Sequence, residues 1–425
     1  MSYVLLVWLA AALFLAGAAW AIARAAISPR KKLVLAAAAA ASIAIKIILA
    51  AQGHNYDMVS YGIVAALVES GQNVYAHTAR YNYAPLWACL LAGLKRIADW
   101  AALAGPERFH VVVAAFLAIG DVTTAAILAA AYSFGAGLFF LGVPVVLWLT
   151  GYHSQFEGLA LLFALSSWVV LRRGAAGWGR LALAALLAGL SLATKHILFL
   201  FPLWVLMWPG LGRMRRRVAY AAIAYGVWAA SFLPWATEPA ARAGIVRNVF
   251  RYRSDFNLSA AHLVMPAHLT GQMPPLERPF LWIIWVTGIV AAGVVVARNK
   301  KQELLPMYLL AMFSASPALV DQYLAIPMLA CAILPARWPS AALAVTATVA
   351  LLVSPGNILR PPMTPVYFAC MPATQVCAAA LFFIAMRERA PAQPSSHTFA
   401  RAAGKIVALV LGAVAFAWFR LFLLP

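Results

Sequence analysis

The run YVLLVWLAAALFLAGAAWAIA, Tyr3 to Ala23, carries no charge and is followed by Arg24, Arg30, Lys31 and Lys32. A helix needs about 20 apolar residues to cross the hydrocarbon core of a bilayer, and this run supplies them. It is longer than a signal-peptide core and meets a basic cluster instead of a small-residue cleavage site. Basic loops stay on the cytoplasmic side, so the run reads as a retained helix with its N-terminus outside. A second helix, Leu33 to Ala51, then returns outward. Its Lys46 falls near the outer end, where a long side chain is expected to snorkel to the interface.

The rest of the chain repeats this pattern. Of 425 residues, 65% are apolar and only 10% charged, with mean hydropathy +0.86; soluble domains carry about 25% charged residues. The net charge of +20 comes from short basic clusters between apolar runs. That is the layout of cytoplasmic loops, and no nucleic-acid partner is expected. Cys89, Cys331, Cys370 and Cys377 lie in or beside apolar segments and show neither disulfide nor metal-ligand spacing.

The expected fold class is an all-α polytopic membrane protein with about 11 to 13 transmembrane helices. Spans are expected near 84–104, 110–131, 159–171, 180–193, 196–208, 218–235, 280–297, 304–319, 323–334, 340–353 and 366–386. The positive-inside count fails by one between 134 and 158. A re-entrant or broken helix there repairs it, and bilayers accept one only where protein or a cavity covers the backbone. No internal repeat is visible, which argues against an inverted-repeat transporter.

Two external segments are unusually polar. Gln52 to Tyr83 holds His54, Asn55, Asp57, Glu69, Gln72, Asn73, His77 and Arg80, with an amphipathic stretch from Met58 to Val68 suited to the interface. Ala236 to Arg278 holds Arg242, Arg247, Arg251, Arg253 and Asp255. Acidic residues number only twelve, so each one matters. Asp57 at the membrane-water boundary is either a general base, strengthened by partial loss of hydration, or an interfacial cap or a partner for Arg80. His153, Gln155 and Glu157 crowd one turn between apolar runs. Glu157 there is either a site wall or a helix-capping anion. Asp321, with Gln322 and Tyr323, interrupts a bilayer-deep run and is either functional or interfacial. Lys195 is an anchor or a phosphate contact. The external arginines grip an anionic ligand with their guanidinium forks or touch lipid headgroups. Asp99 and Asp121 read as packing or interfacial residues.

Asp57-Met58-Val59-Ser60-Tyr61, then Gly71-Gln72-Asn73-Val74-Tyr75, then Arg80-Tyr81-Asn82-Tyr83-Ala84-Pro85-Leu86-Trp87, resemble the first external loop of GT-C fold glycosyltransferases. The nearest types are bacterial glycosyltransferase 87 and the ALG6-like polyprenyl-phosphate-sugar transferases. Gly151 to Leu162 resembles the family's "GQF-D/N-xLA" segment, and Leu190 to Lys195 before Phe201-Pro202 agrees. The likeness covers roughly residues 50 to 330.

It implies a GT-C-like catalytic domain over 1–389, with a conserved-type module about 33–235 and a variable one about 236–389. A linker at 390–404 and a terminal transmembrane helix at 405–425 complete the expected organisation. It also implies an inverting hexosyl transfer, of mannose or glucose type, from a polyprenyl-phosphate sugar to a glycan or glycolipid acceptor. Asp57 matches the catalytic base. Lys195, Arg247, Arg251 and Arg253 would hold the donor phosphate. His54, Arg80, Tyr83, His153, Gln155, Glu157, Asp321, Gln322 and Tyr323 would contact substrate, with no cofactor or metal needed. The setting implied is a bacterial inner membrane, with the active site facing the periplasm or exterior. The chain departs from the family where Tyr56 and Met58 flank Asp57 in place of a second acid. It departs again where Val320-Asp321-Gln322-Tyr323 stands in place of a His-containing motif. Two other classes compete: a transporter or flippase using the same arginines, and an acyl- or phosphotransferase using His153 or His196.

Overall fold

The structure, a computed structural model, describes residues 2–101, 107–172, 177–251, 277–299, 303–316, 319–334, 338–354 and 364–387. Arg253, the linker at 390–404 and the terminal helix at 405–425 lie outside them. Among the described residues the chain is all helical, with no strand.

Among the described residues five helices are long and apolar enough to cross a membrane: Tyr3–Arg24, Pro29–Ala51, Arg108–Ala131, Met214–Trp235 and Pro365–Arg387. Leu5, Trp8, Leu9, Leu13, Leu15 and Trp20 are exposed along the first of them, and Leu33, Ile45 and Ile48 along the second. Continuous apolar faces of this size are not left to water; hydrocarbon is the solvent that suits them. The span expected at 280–297 is a 22-residue helix, α14 (Glu277–Arg298); the other expected spans correspond to helices of 7–17 residues, shorter than the ~20 residues a straight crossing takes.

The helix boundaries follow local chemistry. Ser28 caps α2 (Pro29–Ala51) by accepting from Lys31 N, and Pro29 takes its first turn, where the missing N–H costs nothing. α6 (Arg108–Ala131) is the pillar of the first half. It packs against α1 (Ser2–Arg24), α2, α5 (Pro85–Trp100) and α9 (Glu157–Arg172). Between α6 and α9 the chain breaks as expected: α7 (Phe134–Gly142) and α8 (Pro144–Gly151) meet at a 51° bend. Pro144 has no N–H for the α7 ladder and clashes with the preceding turn, so one helix ends and another begins. Both halves lie against α2 and α6, which cover the irregular backbone.

α10 (Trp178–Thr194) packs on α9 and on α12 (Met214–Ser231). The continuous span expected at 196–208 is instead a 3-10 turn, His196–Leu198, followed by a short α11, Phe201–Met207. Pro202 in the first turn of α11 prevents the two from fusing. Further along, α15 (Leu304–Ala315), α16 (Ala325–Ile333), α17 (Trp338–Leu352) and α18 (Thr364–Arg387) pack together, and α16 leans on α7, α8 and α9. At one end Arg172 pairs with Glu303 at 2.8 Å. Glu303 also accepts from Trp168 Nε1 (2.6 Å) and Tyr132 OH (3.2 Å), tying α6 and α9 to the start of α15.

Lys46 does not snorkel. Its ammonium is buried and donates to Asp121 Oδ2 at 2.6 Å, and Thr150 Oγ1 donates to the same oxygen at 2.7 Å. The pair joins α2, α6 and α8. Two opposite charges in hydrogen-bond contact repay part of each other's desolvation, whereas snorkelling would leave Asp121 buried alone. Lys46→Met should therefore cost about 3–5 kcal/mol by leaving that carboxylate uncompensated. Lys46→Met combined with Asp121→Leu should recover most of the loss; thermal unfolding in detergent measures both.

Candidate functional site

Three polar segments converge at one end of these helices. The first precedes α3 (Tyr56–Glu69). Asn55 caps that helix, its Oδ1 accepting from Asp57 N at 3.1 Å. α3 buries Met58, Tyr61, Val64, Ala65 and Val68 against α5 and exposes Tyr56 and Val59. Asp57, in the first turn, is half-buried, at the end of a helix whose dipole favours an anion.

The second segment is Gly151 to Glu157. Gly151 lies so close to the backbone of Lys46 that a Cβ would sit 3.0 Å from it, so the chain leaves α8 pressed against α2. The backbone then turns through Ser154 at φ 47°, a left-handed conformation uncommon outside glycine. Tyr152 N and His153 N donate to Trp148 O and Gln155 N to Leu149 O, so the turn keeps its backbone bonds. It delivers Gln155 to Asp57: Gln155 Nε2 donates to Asp57 Oδ2 at 2.5 Å, and Asn55 Nδ2 to the same oxygen at 3.3 Å. Both donors meet Oδ2, which leaves Oδ1 to take a proton. Asn55 Nδ2 also lies 3.2 Å from His153 Nδ1.

The third segment is Thr194-Lys195-His196. Lys195 leaves α10 in extended conformation and donates to Glu157 Oε1, both side chains at most 1% exposed. Its ammonium also lies 4.6 Å from the Phe156 ring and 4.9 Å from that of Tyr83, within cation–π range. Phe156 stacks on Trp87 at 4.5 Å and meets Tyr83 edge-on at 4.9 Å. Lys195, expected as an anchor or phosphate contact, is thus an internal cation already neutralised by a carboxylate. Glu157 Oε2, Gln155 Oε1, Ser154 Oγ and Tyr61 OH are buried without a hydrogen-bond partner among the described residues. Burial pushes the Tyr61 phenol well above its ordinary range, and the charge of Asp57 adds to the shift.

The two polar loops are packed together. Asn73 Nδ2 donates to Trp235 O at 2.7 Å, and Asn248 Nδ2 to Thr78 O at 3.0 Å. α13 (Pro239–Ile245) lies on the short α4 (Val74–His77), with Gly244 directly on the Tyr75 carbonyl. Tyr75 OH and Tyr81 OH in turn donate to the carbonyls of Tyr83 and Ala84 at 2.7 and 2.6 Å. Burial raises both phenols and keeps them as donors. Docking carries Arg242, Arg247 and Arg251 beside the first loop, all exposed. Arg247 and the residue before Arg251 belong to a π-helical turn, Val246–Phe250, an irregularity frequent at functional sites.

The remaining candidates divide. Arg80 stacks over Tyr56 at 4.8 Å, so Asp57 is held by Asn55 and Gln155 and not by this arginine. His54 lies 3.8 Å from Glu107 and edge-on to His110 at 5.8 Å, on the flank of the Asp57 cluster. Asp321 takes hydrogen bonds from Ser354 Oγ and, at 2.5 Å, from Tyr367 OH. It fastens the turn Asp321–Leu324, with half-buried Gln322 and Tyr323, to α17 and α18. Its partners belong to the late helices, none of them to the Asp57 cluster. Asn55 is the residue the sequence reading passed over; an Asn one position ahead of an apolar helix whose first turn holds Asp57 is the signal that marks it. Among the described residues no group of three or more His, Cys, Asp or Glu stands close enough to hold a metal ion.

Gly244→Ala should drive a methyl group into the Tyr75 carbonyl and loosen the docked loop, at about 1–3 kcal/mol. Limited trypsinolysis reads this directly, because cleavage after Arg242, Arg247 and Arg251 should accelerate in the variant. No protein-family model matches this chain, and no curated protein matches it.

Proposed function

We propose that the chain is an inverting membrane glycosyltransferase. It moves a hexose from a polyprenyl-phosphate sugar to a glycan or glycolipid acceptor on the external side of the membrane. One observation carries this reading: Asp57 is half-buried at the start of α3, with one carboxylate oxygen pinned by Gln155 and Asn55 and the other left to accept a proton. In this reading Asp57 Oδ1 takes the proton of an acceptor hydroxyl. The oxygen attacks the anomeric carbon as the bond from that carbon to the phosphate oxygen breaks, and the electron pair leaves on the lipid phosphate. The exposed Arg247 and Arg251 of the docked loop stabilise the departing charge, the kind of preorganised cation that lowers such barriers. Arg253 would join them. The apolar faces of α1 and α2 suit a donor whose lipid tail stays in the bilayer. The full count of 11 to 13 spans, the inner-membrane location and an outward-facing site are parts of the same proposal.

The buried pairs Lys46–Asp121 and Lys195–Glu157 favour a second reading, a transporter or flippase of a lipid-linked sugar, because ionisable residues within spans mark transport paths. Both pairs are closed and neutral here, which suits a scaffold better than a path. Asp57→Asn should lower transfer from a labelled polyprenyl-phosphate hexose by about 10²–10⁴-fold, the usual worth of a general base. Near-full activity in the variant sinks the assignment. Movement of the label across proteoliposomes without any covalent change would establish the transporter instead.

A further inference from the structure

The hydrogen bonds around Asn55 determine the state of a histidine. Asn55 Oδ1 accepts from Asp57 N, so its Nδ2 is the atom that faces Asp57 Oδ2 at 3.3 Å and His153 Nδ1 at 3.2 Å. An amide NH2 only donates, with two hydrogens, and each has its acceptor. His153 Nδ1 must therefore offer a lone pair, which puts the proton of the neutral ring on Nε2. We infer that His153 is a positioning residue for Asp57, acting through Asn55 and only while its Nδ1 is unprotonated. The inference rests on the reading of Asp57 as the base and adds the group that orients it.

The consequence is physical. Protonating His153 sets one N–H against another, and the bridge opens. Asn55 then loses the contact that holds its amide in the plane serving both the α3 cap and the Asp57 carboxylate. The bridge is thus present above the ionisation of this imidazole and is lost as pH falls through it. The neighbouring groups bear on that ionisation from every side. Asp57 stands on the far side of the Asn55 amide. His54 and His110, with Glu107 between them, lie on the α6 flank. Lys46 of α2 is closed on Asp121, and Lys195 on Glu157. The Tyr152 ring lies 5.7 Å away on the same turn, tilted by 60°. His153 itself is 3% exposed.

The test uses the full chain in nanodiscs, with polyprenyl-phosphate mannose as donor probe and an alkyl mannoside as acceptor probe. His153→Asn keeps an acceptor oxygen where Nδ1 stands and cannot be protonated; His153→Leu removes the acceptor. As pH falls from about 8 through the ionisation of this imidazole, kcat/KM of the wild type should fall about tenfold or more, and that of His153→Asn by about twofold or less. His153→Leu should be slow at both values, mainly in kcat. The same acid limb in wild type and His153→Asn overturns the inference. Imidazole nitrogen shifts of the histidine-labelled protein, read without substrate, give an independent answer. A lone-pair Nδ1 in the neutral ring supports it, and a protonated Nδ1 overturns it. If Asp57→Asn retains transfer, the proposed base fails; if it abolishes transfer while the acid limb is unchanged in His153→Asn, only the role of His153 fails.

Discussion

Lys195 and Glu157 face each other at most 1% exposed, and neither charge could stay there alone. Moving an isolated ammonium or carboxylate out of water costs several kcal/mol even after relaxation, so each is tolerated only in contact with the other. Phe156 and Tyr83 add their ring faces to the ammonium. Because Lys195 ends α10 and Glu157 begins α9, this one contact determines how the turn at 151–157 meets the turn at 194–198. The turn that carries Gln155 to Asp57 is built on that junction. Lys46–Asp121 does the same for α2 and α6 one layer away, and Arg172–Glu303 for α9 and α15.

The same constraint explains why the candidate site stands where helices break. Irregular backbone in a bilayer must be covered by protein, and here α2 and α6 cover the bend at Pro144 and the turn after Gly151. A turn that is already covered can hold polar side chains at fixed positions. Gln155 and Asn55 reach Asp57 because their backbones are held by Gly151, Ser154 and the α3 cap. The arginine-bearing loop is brought in by a different device, the docking of Gly244 on the Tyr75 carbonyl and of Asn73 and Asn248 on backbone oxygens. Polar rim and apolar bundle are thus joined by hydrogen bonds to main-chain atoms, which do not depend on the chemistry of the ligand.

Several of these features were readable from residue order alone. Most apolar runs predict helices where helices form, the run at 196–208 excepted, and the failed charge count near 134–158 locates the break that Pro144 produces. Asp57, His153, Gln155 and Glu157 stand out as polarity without an apolar reason; Gln155 reaches Asp57, His153 reaches Asn55, and Glu157 closes on Lys195. Asp321 stands out equally in the sequence, yet it fastens α17 and α18 through Ser354 and Tyr367. Polarity in an apolar run signals that a group needs a partner and is silent on which partner it finds.

Composition and periodicity determined that this chain folds as apolar helices with polar turns, because apolar length and charge placement act locally. Tertiary structure alone decided the pairings: Lys46 with Asp121 across 75 positions, Lys195 with Glu157 across 38, and Asn55 with His153 across 98. A lysine near a helix end reads as an anchor until a buried carboxylate is seen beside it, since the cost of an unpaired charge is set by what surrounds it. Asp57 carries the same lesson. Its place in the sequence made it a candidate, and only the fold brought Gln155 and Asn55 to one of its oxygens and kept both clear of the other.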